Sequence, residues 1–283
     1  MHRVTLAMLF VASAGFVYVM REDLQQTMRK HTPLKPVRRV RHNFSHFPVP
    51  PPESCFENPL PAINAHTAWT NFLNHPVPEL DRPADNNQLL VMGPLGPLCK
   101  SLEIYGSGDG EKRACGLKTA TDCSIISIGS NNEWDFEESV FDQLNCTVET
   151  FDCMVNAQVP PRIASRTRFH PFCISGEDRV DENNRVYLAW PSIMRMINAK
   201  KAPDYLKMDI EEGEYDALPR MLKDGFFMPR QIAFEIHVGK KTLREVALFM
   251  ESLYTQGGYF FIDQRPNLGC RECTEVLVSH VDI

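Results

Sequence analysis

Ser124-Ile125-Ile126-Ser127-Ile128-Gly129 is a short, nearly continuous apolar run that ends in glycine. A strand with one wet face would alternate apolar and polar residues, so this run reads as a parallel strand buried on both faces. Downstream, Phe136, Val140 and Leu144 fall on one helical face. Thr147 to Phe151 (TVETF) is a second strand ending at Asp152, and Arg168 to Ile174 a third. Pro191 opens a helix holding Ile193, Met194 and Ile197. Tyr205 to Ile210 (YLKMDI) is the fourth strand. Tyr215, Leu218 and Leu222 form the next helix, with Gly225 as its C-cap. Gln231 to Val238 is the fifth strand.

Thr242 and Glu245 then spell a capping box. Leu243, Val246, Met250 and Leu253 make an apolar stripe, which Gly257 ends. Tyr259 to Asp263 and Thr274 to Ser279 are two closing strands with no helix between them. Alternating strands and helices predict an α/β, Rossmann-like, doubly wound and mostly parallel sheet. The last two strands predict an antiparallel hairpin at one edge.

Outward of this domain, taken as residues 67–283, the chain changes character. Val4 to Met20 is uncharged and mostly apolar, at the short limit for a spanning helix, so residues 1–22 read as a membrane anchor. The alternative is a signal peptide cut near Ala12-Ser13-Ala14. Residues 23–66 are basic, then rich in proline (Pro48, Pro50, Pro51, Pro52), and read as an extended stem. Its arginines and lysines argue for a cytosolic flank. The cysteines and the sequons Asn43-Phe44-Ser45 and Asn145-Cys146-Thr147 argue for a lumenal domain, which is the expectation, in the secretory pathway or Golgi.

Formal net charge is -6, which disfavours a nucleic-acid partner. The 9 cysteines suit disulfides in an oxidising compartment and leave at least one thiol over. Cys270-x-x-Cys273 has no second pair at zinc spacing, so no metal site is expected.

Ligands of a doubly wound sheet bind at the C-terminal strand ends. Four places there carry candidate chemistry. Ser127, Gly129, Ser130, Asn131 and Glu133 form a strand-to-helix turn in which glycine allows a ligand to approach the backbone. Asp152, at the end of the next strand, suits the hydroxyls of a ribose. Lys207, Asp209, Glu211 and Glu214 are charged residues in and after a buried-looking strand, where carboxylates are costly unless paired or used. His237 closes the fifth strand and is a candidate general base.

These residues, from about Cys99 onward, resemble the FkbM-type methyltransferases, and more closely the animal methyltransferase-like protein 24 group. SIGSNNEWDFEESV is similar to that group's nucleotide-binding turn, TFDC to its second-strand acid, and LKMDIEEGEYDAL to its lysine–aspartate–glutamate signature. Cys99, Ile104, Gly106, Gly110, Lys112 and Cys115 are similar to its lead-in. The resemblance implies a class I methyltransferase fold and S-adenosylmethionine-dependent methyl transfer, most often to oxygen. It implies that Ser127, Gly129, Ser130, Asn131, Glu133, Asp152 and Asp209 hold the cofactor. Asp209, Glu211, Glu214 and His237 are then the catalytic or acceptor-binding candidates, and the acceptor is a small molecule or glycan.

Two departures stand out: Ser127 replaces an aspartate common among relatives, and Glu212-Gly213 replaces a glycine-small pair. They favour an alternative reading, a catalytically inactive scaffold on the same fold. A Golgi glycosyltransferase would suit the anchor and stem, but the chain has no Asp-x-Asp motif for a nucleotide-sugar metal.

Overall fold

A computed structural model describes residues 55–281, except 59, 76–77, 85–92, 268 and 271. The predicted anchor, its signal-peptide alternative and residues 23–54 of the predicted stem lie outside the described residues. Among the described residues no helix is long and apolar enough to cross a membrane.

The central strands are β3 (Ser124–Ile128), β4 (Thr147–Phe151), β5 (Thr167–His170), β9 (Tyr205–Met208), β10 (Gln231–His237), β11 (Phe260–Pro266) and β12 (Cys273–Ser279). They form one sheet in the order β11-β12-β10-β9-β3-β4-β5. β5, β4, β3, β9 and β10 run parallel, while β12 is antiparallel to both β10 and β11. This is the Rossmann-like class I methyltransferase sheet that the strand and helix periods predict, closed by the predicted edge hairpin. The chain winds outward from β3 through β4 to β5, then returns to β9 and β10. The point where strand order reverses therefore lies between β3 and β9, the ordinary ligand crevice of such sheets.

The helices are α1 (Leu60–Leu73), α2 (Asp135–Gln143), α3 (Trp190–Met196), α4 (Glu214–Asp224) and α5 (Leu243–Thr255). On one face, Ile125, Val148, Tyr205, Ala233 and Leu277 pack with Phe136 and Val140 of α2. On the other, Phe234 meets Phe249 of α5 edge-on, with ring centroids 6.4 Å apart. β9 and β10 are buried along their whole length, which explains their unalternating sequences. α5 starts with the predicted capping box: Thr242 accepts from the Glu245 N–H, and Glu245 accepts from the Thr242 N–H. Gly225 closes α4 in the left-handed conformation, as its sequence position requires.

Three features differ from the sequence reading. Helix α1 opens at Leu60, among residues that read from sequence as the end of the stem. Its apolar pattern is thin because much of its packing is aromatic, with the buried His66 stacked on Tyr254 at 3.9 Å. The third strand stops at His170, because Pro171 has no N–H to extend the ladder. Cys173–Ile174 (β6) instead joins β7 (Arg179–Val180) and β8 (Val186–Leu188) in a small separate sheet. Finally, β1 (Leu102–Tyr105) and β2 (Lys112–Cys115) form a hairpin laid against the main sheet. Tyr205 donates its hydroxyl to the Arg113 carbonyl at 2.6 Å, and the Gln231 amide bonds both the N–H and the carbonyl of Cys115 at 2.8 and 2.7 Å.

Four disulfides join Cys99–Cys115, Cys123–Cys146, Cys153–Cys173 and Cys270–Cys273. Cys55 is the unpaired thiol that the odd count requires.

Candidate active site

The turn after β3 is built by two backbones in near contact. Gly129 has φ 80, and a Cβ there would lie 1.7 Å from the Asp209 carbonyl oxygen, so only glycine fits. The Gly129 N–H donates to Phe151 at 2.9 Å, and the Asp209 N–H to Ile128 at 3.0 Å. The Lys207 ammonium donates to the Gly129 carbonyl from below. Asn131 and Asn132 follow with φ 49 and 59, a left-handed pair that asparagine tolerates better than most residues. Asn131, Asn132 and Glu133 are exposed at the mouth, while Ser130 is buried.

Asp152 anchors this turn. Its Oδ2 accepts the Asn131 N–H at 2.8 Å and its Oδ1 accepts the Met154 N–H at 2.7 Å. Each carboxylate oxygen keeps a further lone pair. The adjoining Cys153–Cys173 disulfide ties the segment to β6. Ser127 and Ser130 hold buried hydroxyls without a protein partner beside the turn. Unpaired buried hydroxyls are costly, and a polar ligand would satisfy them.

Ser127, Thr150 and Lys207 lie side by side across β3, β4 and β9. Glu137 of α2 covers the row and accepts from the Thr150 hydroxyl at 3.1 Å. Burial lowers the Lys207 ammonium pKa, and the Glu137 and Asp209 charges oppose that shift. Glu137 thus supplies a carboxylate near Lys207 from the helix.

A second group gathers at the ends of β9 and β10. His237 Nδ1 lies 2.7 Å from Oε1 of the fully buried Glu214. Its Nε2 lies 3.4 Å from Glu211 Oε2 and 3.7 Å from Glu235 Oε2. Glu211 and Glu212 are both left-handed, at φ 53 and 70. Lys112, buried on β2, reaches Glu275 Oε1 at 2.5 Å and Asp209 Oδ2 at 3.7 Å. Glu235 and Glu275 face each other across β10 and β12, and Asn267 donates to Glu235 at 2.7 Å.

Burial, then repulsion from Asp209, pushes the Glu235 carboxyl up to about 7. Burial raises Glu275 while Lys112 opposes the rise. Burial also raises Glu214 against its hydrogen bond from His237. For His237, burial favours the neutral ring, but the Glu214 hydrogen bond and the charges of Glu214, Glu235 and Glu211 outweigh it and hold the imidazole up to about 9. The carboxylates on both sides of the ring thus hold a proton on it in the metal-free chain.

The candidates therefore fall into two adjoining groups. Gly129, Ser127, Ser130 and Asp152 surround the β3 turn. Asp209, Glu211, Glu214 and His237 surround the β9–β10 ends, and Asp209 borders both through Gly129. Glu137, Glu235 and Glu275 are additions to the sequence reading, and Lys112, noted there only in the lead-in, joins the site. Glu275 carried a signal, a lone acid inside the apolar strand CTEVLVS.

Sheet order, the glycine turn and the acid at the end of the second strand define a class I methyltransferase fold. The chain belongs to a methyltransferase-domain family, whose model matches residues 96–280. No curated protein matches. Among solved structures it is similar to the FkbM methyltransferase of Methylobacillus flagellatus KT, with 13% identity over 55% of this chain and 43% of that one, TM-score 0.38. The chain thus spans less than half the length of that protein. A Klebsiella pneumoniae protein assigned as an O-methyltransferase shares 10% identity over 59% of this chain and 76% of that one, TM-score 0.37. A Streptococcus mutans protein assigned as a methyltransferase, in complex with SAH, shares 12% identity over 58% and 92%, TM-score 0.34.

Proposed function

We propose that this protein is an S-adenosylmethionine-dependent O-methyltransferase acting on a small molecule or glycan. Within its family it is read as a member of the methyltransferase-like protein 24 group. The observation that carries the reading is the β3 turn: Gly129 pressed on Asp209, Asp152 clamping Asn131, and two buried serine hydroxyls awaiting partners. These residues fit the polar end and ribose of such a cofactor. When bound, it supplies a methyl group on a cationic sulfonium for in-line displacement.

The chain's own part is positioning. The Gly129–Asn131 backbone and the serine hydroxyls bind and orient the donor, and Asp152 accepts from ribose hydroxyls through its remaining lone pairs. Asp209 and the acids beside it favour a cationic donor. Glu211 and His237 line the acceptor side, where near-attack alignment is set, and the buried Glu214 orients the His237 ring.

The four disulfides support placement in an oxidising compartment, and residues 1–22 a single-pass anchor with a lumenal domain in the secretory pathway. No nucleic-acid partner is proposed. One observation favours the scaffold alternative: both Asp152 oxygens already accept backbone N–H groups. Calorimetric titration of S-adenosylmethionine into the purified, disulfide-intact full chain, beside Asp152→Ala, separates the two. Micromolar binding that the variant loses supports the enzyme. No binding by the folded chain leaves the scaffold.

A further inference from the structure

We propose that Asp209, Glu211 and His237 form a divalent-cation site that holds the acceptor through two neighbouring oxygens; this rests on the acceptor side assigned above. One carboxylate oxygen from each acid and a ring nitrogen of His237 all lie within 4.8 Å of one another. With metal–ligand bonds of about 2.1 Å, two ligands on opposite sides of an ion sit about 4.2 Å apart. Glu211, whose side chain is 88% exposed, is the member with room to move inward.

The histidine is what separates this group from an ordinary acidic patch. Its side chain is only 10% exposed. Its Nδ1 is committed to Glu214 at 2.7 Å, which fixes the ring and aims Nε2 at Glu211. Nε2 faces carboxylates only, Glu211 Oε2 at 3.4 Å and Glu235 Oε2 at 3.7 Å, and a cation between them would take the place of its proton. A ligating histidine typically has its second nitrogen held by a buried carboxylate in this way.

A second grouping, Glu235, His237 and Cys273, cannot supply three ligands, because Cys273 is joined to Cys270.

Two carboxylates and one imidazole suit a first-row ion such as Mn²⁺ or Zn²⁺ better than the all-oxygen shell of Ca²⁺. Three protein ligands leave open positions. An acceptor carrying two adjacent oxygens, a vicinal diol or an α-hydroxy acid, would chelate the ion and present one oxygen toward the Gly129 turn.

The test is titration of MnCl₂ into the metal-free full chain, read by calorimetry and by the Mn²⁺ electron paramagnetic resonance signal. Wild type, Glu211→Gln and His237→Gln are compared, with S-adenosylmethionine titrated into each preparation. One saturable site, weakened at least about tenfold in each variant, is expected for a lost ligand. Glu211 is 88% exposed, so Glu211→Gln leaves the fold intact and decides the matter if His237→Gln does not fold. No saturable Mn²⁺ binding, or equal binding by Glu211→Gln, overturns the site. Cofactor binding without Mn²⁺ binding sinks this proposal alone. Mn²⁺ binding without cofactor binding sinks the donor reading and leaves the cation site standing.

Discussion

Glu214, sealed from solvent at the first turn of α4, holds His237 at the end of β10 through a 2.7 Å contact to Nδ1. The ring's folded pKa of about 9 lies above its ordinary value of 6.5. Protonation therefore favours the folded state: this contribution is complete below about pH 6.5 and is lost as pH rises through about 9. Glu214 acts with the same sign, because burial raises its pKa and its ionisation costs folding energy. Chemical denaturation of the metal-free chain at about pH 6 and about pH 10 should show the midpoint falling with pH. His237→Gln should flatten that dependence. A midpoint that rises over this range contradicts the assignment.

The β3 turn should fail in two separable ways. Gly129→Ala drives a methyl group into the Asp209 carbonyl and should destabilise the domain by about 3–5 kcal/mol while abolishing cofactor binding. Asp152→Ala removes the acceptor of two backbone N–H groups and should cost about 2 kcal/mol. Asp152→Asn keeps one carbonyl acceptor and should cost less. Denaturant midpoints give the stabilities, and calorimetry gives the binding. Equal stability of wild type and Asp152→Ala would show that the clamp on Asn131 contributes nothing.

The sheet was legible because its signals are local. SIISIG, YLKMDI and QIAFEIHV are too apolar for one-sided strands, and Thr242 with Glu245 marks the start of α5 from four residues. Gly129 and Asp152 were legible because sheet topology sends strand ends to one crevice. Lys112 was not legible as a site residue: it reaches Glu275 from 163 positions away, through a hairpin whose strands are four residues each. Glu137 was hidden because its helical position predicts only a partly buried acid, whereas the row Ser127, Thr150 and Lys207 that it covers exists only after β3, β4 and β9 pair. The start of α1 was missed because its burial rests on His66 among aromatic rings, which no apolar period reports.

Cys123 and Cys146 stand at the feet of β3 and β4, where the Thr147 N–H donates to the Cys123 carbonyl at 3.0 Å. Their sequence separation of 23 closes a loop worth about 3 kcal/mol by chain entropy. Cys123→Ala/Cys146→Ala should lower unfolding stability by about that amount. Removing Cys270–Cys273, separated by 3, should cost about half as much. Guanidinium denaturation of the two double variants tests the order. The reverse order would mean that the short bridge does more than restrict the unfolded chain.

Lys112 is the buried cation between Glu275 and Asp209, and its side chain has no exposure. Lys112→Met keeps the length and most of the volume but leaves Glu275 without its 2.5 Å partner, beside Glu235 on the neighbouring strand. Breaking a buried pair on one side costs about 3–5 kcal/mol, because the remaining charge is neither solvated nor matched. Removing the charge on both sides, in Lys112→Met/Glu275→Gln, should recover part of that loss. The coupling energy of the double-mutant cycle should then be at least about 1 kcal/mol. Additive losses would mean that Lys112 acts mainly on Asp209. In that case Lys112→Met/Asp209→Asn should show the larger coupling, which would place the lysine's weight on the carboxylate that borders the β3 turn.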